Sequence, residues 1–432
     1  MTARRVISIC GLMASVVSAL ALALSACANE HHCAGNPNED CRIPVPDAAI
    51  DGAPGCTGDP DCSGTTPVCD LADTKACVQC VGSDAAACVG MTPTCGSDDA
   101  CHACAAHTDC ASDACLPDGS CGRDSTVAYV DPTGTDNTMC TKAMPCTKVL
   151  KALATARPFV KLTGTTAEQV SINNQNVTVL ADPGAKLTFT SAGVILKIDG
   201  TSVVTIYDLA ISDGLGGTGI GISMPPGNAA TLALDHASVT NNGGAGISAT
   251  GGALTVSQST VSGNAGGGVS LSGTQFDITN CFITSNGAAT TSFGGVSFTQ
   301  LGAGSHVFSF NTVTGNVGAA GTTTGVVCSL ITQPQTFSNN IIFGNQGTGA
   351  GTQISGSNCA TAFSDIGPDT VAGTGNINLD PLFVNVAQSN FHLMGGSPAK
   401  DAADPAATLN IDFDGDARPQ GPHSDIGADE VK

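Results

Sequence analysis

The chain of 432 residues carries 54 Gly, no Trp, only 12% charged residues and a formal net charge of −21. So acidic a surface repels nucleic acid, and no basic stripe offsets it; Val, Ile, Leu and Ala are too plentiful for a disordered chain. The length leaves room for two or three domains, and the acid is uneven: residues 28–124 hold 16 Asp and Glu against 3 Lys and Arg, while residues 125–379 hold 11 against 7.

Residues 1–26 read as a signal peptide, with Arg4 and Arg5 ahead of an apolar run from Val6 to Leu24. The closing Leu24-Ser25-Ala26-Cys27 resembles a bacterial lipobox. The resemblance implies that Cys27 becomes the first mature residue and takes a diacylglycerol on its sulfur. Each buried acyl methylene contributes about 0.8 kcal/mol, so a multiply acylated Cys27 would hold the chain on a membrane. Ala28 in place of Asp leans, by analogy with known sorting signals, towards the outer membrane or cell surface. No later segment is long and apolar enough to span a bilayer. Residues 27–55, with Pro37, Pro44, Pro46 and Pro54, read as a flexible tether.

Residues 56–124 form a cysteine-rich module. Of 21 Cys, Cys10 leaves with the signal and Cys27 is the lipidation site. Nineteen remain, an odd number, and Cys281 is the candidate free thiol. The segment Cys62–Cys69 matches Cys88–Cys95, each followed by a C-x2-C pair, Cys77/Cys80 and Cys101/Cys104. A shorter third unit runs Cys110, Cys115, Cys121. In an exported chain these predict disulfides of open connectivity, because repeats with so few large apolar residues need crosslinks. The spacing Cys77-x2-Cys80-x20-Cys101-x2-Cys104 also fits a four-thiolate zinc site. Other Cys between the two pairs, and their equivalent places in two repeats, favour disulfides.

Residues 125–158 read as an N-terminal cap, with a short strand at Val127–Val130, a stapled pair Cys140 and Cys146, and a helical pattern at Val149, Leu150 and Leu153. From residue 159 to 379 short alternating apolar runs are broken by Gly and Asn. Leu232, Leu254 and Phe276 lie 22 residues apart, as do Asn242, Asn264 and Asn286; later copies end at Asn316 and Asn345. A 22-residue unit of short strands without helix predicts one coil of an all-β parallel β-helix, a solenoid of about ten coils. Period-2 alternation places Leu254 and Val256 inside. The Asn column predicts a structural ladder that satisfies turn amides.

Residues 380–432 carry Pro381-Leu-Phe-Val, Asn390-Phe-His-Leu, Gly396-Ser-Pro-Ala399, Asp412-Phe-Asp-Gly-Asp416, Arg418-Pro and Asp425-Ile-Gly-Ala-Asp-Glu430. Together these resemble the choice-of-anchor Q domain found behind right-handed β-helices in bacterial surface proteins. The body resembles the pectate-lyase-like superfamily by its repeat pattern alone. The resemblance implies a right-handed helix ending in final coils and a cap. Asp412, Asp414 and Asp416, at alternate positions, are calcium candidates; the competing expectation is a salt-bridged cap neutralised by Arg418.

Catalysis has to be sought in the residues themselves. A polysaccharide lyase needs a base beside its substrate's carboxylate, usually Lys or Arg, and neither occurs between Lys197 and Lys400. A glycoside hydrolase needs two carboxylates, and Asp213, Asp235 and His236 are the sole candidate cluster, on the premise that a 22-residue spacing stacks the two acids. With only Tyr129 and Tyr207 beside the missing Trp, sugar-stacking platforms are scarce. The sequence therefore favours a non-catalytic, lipid-anchored surface protein acting in adhesion, matrix or glycan binding, or as a scaffold. Its expected partners are the membrane and an extracellular polysaccharide or surface protein. The alternative is a polysaccharide-degrading enzyme.

Overall fold

The computed structural model describes residues 55–82, 87–347, 353–356 and 358–432. The signal peptide, Cys27 and all of the tether but its last residue lie outside the described residues. Two compact units divide the chain, 1–78 and 79–432. Among the described residues, no helix is long and apolar enough to cross a membrane.

The first unit contains one cysteine repeat, crosslinked Cys56–Cys69 and Cys62–Cys77. Strand Val68–Cys69 pairs antiparallel with Cys77–Val78. The carboxylate of Asp70 accepts from the backbone N–H groups of Ala72, Asp73 and Thr74, which shapes the hairpin turn. The second unit opens with two more repeats, crosslinked Cys80–Cys95 with Cys88–Cys101, and Cys104–Cys115 with Cys110–Cys121. Every repeat thus joins its first Cys to its third and its second to its fourth. The third and fourth are cross-strand neighbours each time: Cys69↔Cys77, Cys95↔Cys101 and Cys115↔Cys121. The repeat frame begins one cysteine earlier than the sequence match suggests. Each C-x2-C step joins the last Cys of one repeat to the first of the next, so no free sulfur is left for the four-thiolate zinc alternative.

The body is a parallel β-helix. Among the described residues, one sheet stacks nine strands from Thr165–Ala167 to Asp365–Gly367, and a larger sheet has 14 strands, ten of them in one continuous path. Fewer coils form than the predicted ten because several take more chain: equivalent residues are 22 apart at Asn242 and Asn264, but 28 apart at Ala210 and Ser238 and 30 apart at Asn286 and Asn316. Val127–Val130 pairs parallel with Phe159–Leu162, so the expected cap already supplies a rung of the sheet. Over it lie the short helix Val149–Leu153, whose first N–H is held by the Glu168 carboxylate, and the disulfide Cys140–Cys146.

The interior is built from stacked identical positions. Leu232, Leu254 and Phe276 pair in register, as do Val261 and Ile283 on the opposite sheet, and all are buried. Phe276 and Phe298 stack with ring centroids 4.4 Å apart, and Phe298 also meets Phe308 and Phe337 at 5.6 and 5.2 Å. At the corner, the amide of each Asn donates to the side-chain oxygen of the next: Asn242 to Asn264 at 2.9 Å, Asn264 to Asn286 at 2.9 Å, Asn286 to Asn316 at 3.0 Å and Asn316 to Asn345 at 2.8 Å. Backbone N–H groups of the same residues donate to the same oxygens, so one buried side chain satisfies two coils. Free Cys281 occupies a second such column, where its N–H donates to Asn311 Oδ1 at 3.0 Å; burial pushes its thiol up to about 12.

Residues 380–432 differ from the expected final coils. Phe383–Asn385 and Asn390–Leu393 pair antiparallel, outside the solenoid sheets. The segment then folds back along the flank of the helix. Asn280 Nδ2 donates to Ile411 O at 2.8 Å, and the N–H groups of Asp404 and Gly427 donate to Asn339. An apolar seam of Phe310, Ile341, Leu393, Ala403 and Ile426 holds it there.

Candidate functional site

Parallel register aligns Lys161, Leu180, Tyr207, Asp235, Ser257 and Thr279 in one outward row. In the later coils the next residue takes a left-handed turn: Asp208 (φ 62°), His236 (φ 51°), Gln258 (φ 45°) and Asn280 (φ 53°). Asp, Asn and His are the residues that best tolerate that region apart from Gly. From Tyr207 onward two adjacent columns therefore become polar, ionisable at Asp208, Asp235 and His236, whereas the preceding Leu162, Leu180 and Ala181 are apolar. The third cysteine repeat lies over this end and leaves a groove of about 550 Å³, lined by His107, Leu116, Pro117, Asp182, Pro183, Tyr207 and Asp208.

The charges are ordered by their partners. The ammonium of Lys161, buried beneath this face, is bonded to Asp182, whose other oxygen accepts from Thr163 Oγ1 at 2.8 Å. Burial pushes Asp182 up, but Lys161 and Thr163 outweigh it and hold the carboxyl below its ordinary range. Burial also lowers Lys161, and it lowers His107 together with the Lys161 charge. The His107 ring accepts the Cys115 N–H at Nδ1, 3.1 Å away, so its proton sits on Nε2. Next to the groove, Asp235 bonds to His236 Nδ1 at 3.2 Å and Ser257 Oγ at 3.0 Å. Against the pull of burial these partners hold Asp235 low, and the Asp235 carboxylate raises His236. Among the described residues Asp208 has no such donor, and burial raises it.

Of the residues singled out from the sequence, Asp235 and His236 come together and Asp213 does not join them. The strand before Asp213 aligns Ala210 with Ser238, 28 positions on, so the 22-residue premise fails in these longer early coils. Asp213 instead pairs with Lys186 at 3.0 Å. Tyr129 is no platform: it is buried and donates to Ser112 O at 2.8 Å. His107, Lys161 and Asp182 escaped the sequence reading because a crosslinked loop and two separate coils bring them together.

The three C-terminal aspartates play different parts. Asp412 is buried, with Oδ1 accepting from the N–H groups of Asp414 and Asp416 and Oδ2 from that of Glu430. Asp416 pairs with Lys432 at 2.9 Å and Asp414 with His392 at 3.0 Å. Arg418 does not neutralise them as expected. Its guanidinium pairs with buried Glu430 at 3.0 Å, donates to two carbonyls, and lies 4.7 Å over the Phe310 ring.

No curated protein matches the chain. Among solved structures, a pectate lyase, Pel9A, aligns with 14% identity and a TM-score of 0.40, covering 71% of this chain and 96% of that one. Residues 193–366 match the family described as the right handed beta helix region, the stretch that holds the Asn ladder and the phenylalanine stack. The body of this chain is accordingly a right-handed parallel β-helix.

Proposed function

We propose that this chain is an exported, lipid-anchored surface protein whose β-helix binds a neutral glycan in the groove beside Tyr207 without cleaving it. The observation that carries the reading is the placement of positive charge. No Lys or Arg occurs between residues 197 and 400, and Lys161, beside the groove, is tied to Asp182. A lyase acting on uronates requires a free cation or base at this place, and the acids here repel such a substrate. Tyr207 offers a ring, Leu116, Pro117 and Pro183 offer apolar walls, and Asp208 can accept sugar hydroxyls. The test is incubation of the purified chain with neutral and anionic polysaccharides, following reducing ends and unsaturated products. Neither should appear.

One observation favours a second reading, a glycoside hydrolase. Asp208 is raised and neighbouring Asp235 lowered, the separation that an acid and a base or nucleophile require. Reducing ends released by the wild type and lost in Asp208→Asn and in Asp235→Asn would establish it. The anchor is tested separately: Cys27→Ala should move the protein from the membrane to the soluble fraction.

A further inference from the structure

We propose that His392, Asp414 and Asp429 form a site for one divalent transition cation, of which zinc is the representative, clasping three separate segments of the C-terminal cap. One ligand atom from each residue lies within 4.8 Å of the others. The three come from the strand Asn390–Leu393, the Asp412–Asp416 turn and the chain's last residues, so a shared ion would tie the cap together.

The hydrogen bonds around His392 point the same way. Asn390 Oδ1 accepts the backbone N–H of His392 at 3.2 Å, which fixes the oxygen, not the amide nitrogen, on that side. His392 Nδ1, 2.8 Å from the same oxygen, must therefore carry a proton. In the neutral ring Nε2 then has only a lone pair, and it faces Asp414 Oδ2 at 3.0 Å. At that distance the two atoms share either a ring proton, as in an ion pair, or a cation. An imidazole held by an N–H bond to an oxygen on one side, with a bare nitrogen on the other, is the arrangement in which metal-ligating histidines are oriented.

Asp429 supplies the second independent observation. It is only 6% exposed, and its one hydrogen bond among the described residues is from the Leu393 N–H, at 2.6 Å. The Phe282 ring, 5.3 Å from His392, shields one side. Imidazole with carboxylates suits zinc or manganese better than calcium. Three protein ligands leave a fourth position for water. Asp412 and Asp416 are already committed to backbone N–H groups and to Lys432, so this site differs from a three-aspartate calcium grip. It does not depend on the glycan reading.

The test uses the full chain in detergent, stripped with chelator and titrated with zinc chloride at pH 7.5 by calorimetry. One equivalent should bind and raise the unfolding temperature. His392→Gln and Asp429→Asn should each weaken binding at least tenfold, Asn390→Ala about tenfold with the stoichiometry kept, and Asp416→Asn should behave as wild type. Calcium should not displace zinc. A measurement that needs no variant is carbethoxylation of His392 mapped by mass spectrometry, which zinc should suppress. The proposal is overturned if wild type binds no stoichiometric zinc, if both ligand variants bind as well as wild type, or if zinc leaves His392 reactive. In that event His392 is doubly protonated and forms a plain ion pair with Asp414.

Discussion

The cysteine repeats and the coiled body each repeat a short unit, but they hold it by opposite means. In the repeats, loops of 11 to 15 residues are closed by interlaced disulfides, and few apolar side chains, Val68 and Ala114 among them, are buried. In the body, two disulfides among the described residues, Cys140–Cys146 and Cys328–Cys359, accompany a long column of stacked Val, Ile, Leu and Phe. A repeat that cannot share an apolar face with its neighbour relies on covalent closure. A repeat that can share one needs only matched side chains, coil upon coil.

That contrast can be broken from either side. The largest effect is expected from Phe298→Ala, which empties the centre of the phenylalanine stack: about 3–5 kcal/mol of the body's stability, read by urea unfolding, with the cysteine repeats unaffected. Asn286→Ala leaves the buried N–H and Nδ2 of Asn264 without their acceptor and takes a donor from Asn316 Oδ1 on the next coil, and should cost roughly 3 kcal/mol in the same assay. Replacing Cys104 and Cys115 together by Ser should cost about 2–3 kcal/mol, seen as faster proteolysis within residues 104–121 while the body's unfolding midpoint holds. The smallest effect concerns Asp365, buried against the cap with one oxygen unpartnered and raised by burial to about 6. Because the folded chain holds this proton more tightly than the unfolded chain, the site's contribution is full below about pH 4 and is lost as pH rises through 6. Asp365→Asn should therefore stabilise by about 1–2 kcal/mol at pH 7.5 and hardly at all at pH 4, measured as paired melting temperatures.

The same contrast decides what could be read from sequence. The middle coils were legible because Leu232, Leu254 and Phe276 must occupy one stacked position, and stacking forces a constant period. The early coils were not, because their length varies, and Asp213 was matched to the wrong neighbour. The cysteine frame slipped by one cysteine in the pattern because C-x2-C is the most conspicuous local spacing, although it marks a junction and not a bond. The fold-back of the cap rests on bonds such as Asn280 to Ile411 and Gln258 to Phe413, between residues more than a hundred positions apart, with no local periodicity to announce them. The groove was half legible: Asp235 and His236 are adjacent in sequence, but His107 reaches it only through the crosslinked third repeat.

The central claim is that the groove binds a neutral glycan without cutting it, and equilibrium binding tests it most directly. Neutral oligosaccharides should be titrated into the wild-type chain and Tyr207→Ala by calorimetry, with the recovered sugar sized afterwards. The account predicts saturable binding, lost in Tyr207→Ala, and sugar recovered at its original length. Binding that survives Tyr207→Ala, or sugar recovered in shortened form, would contradict it.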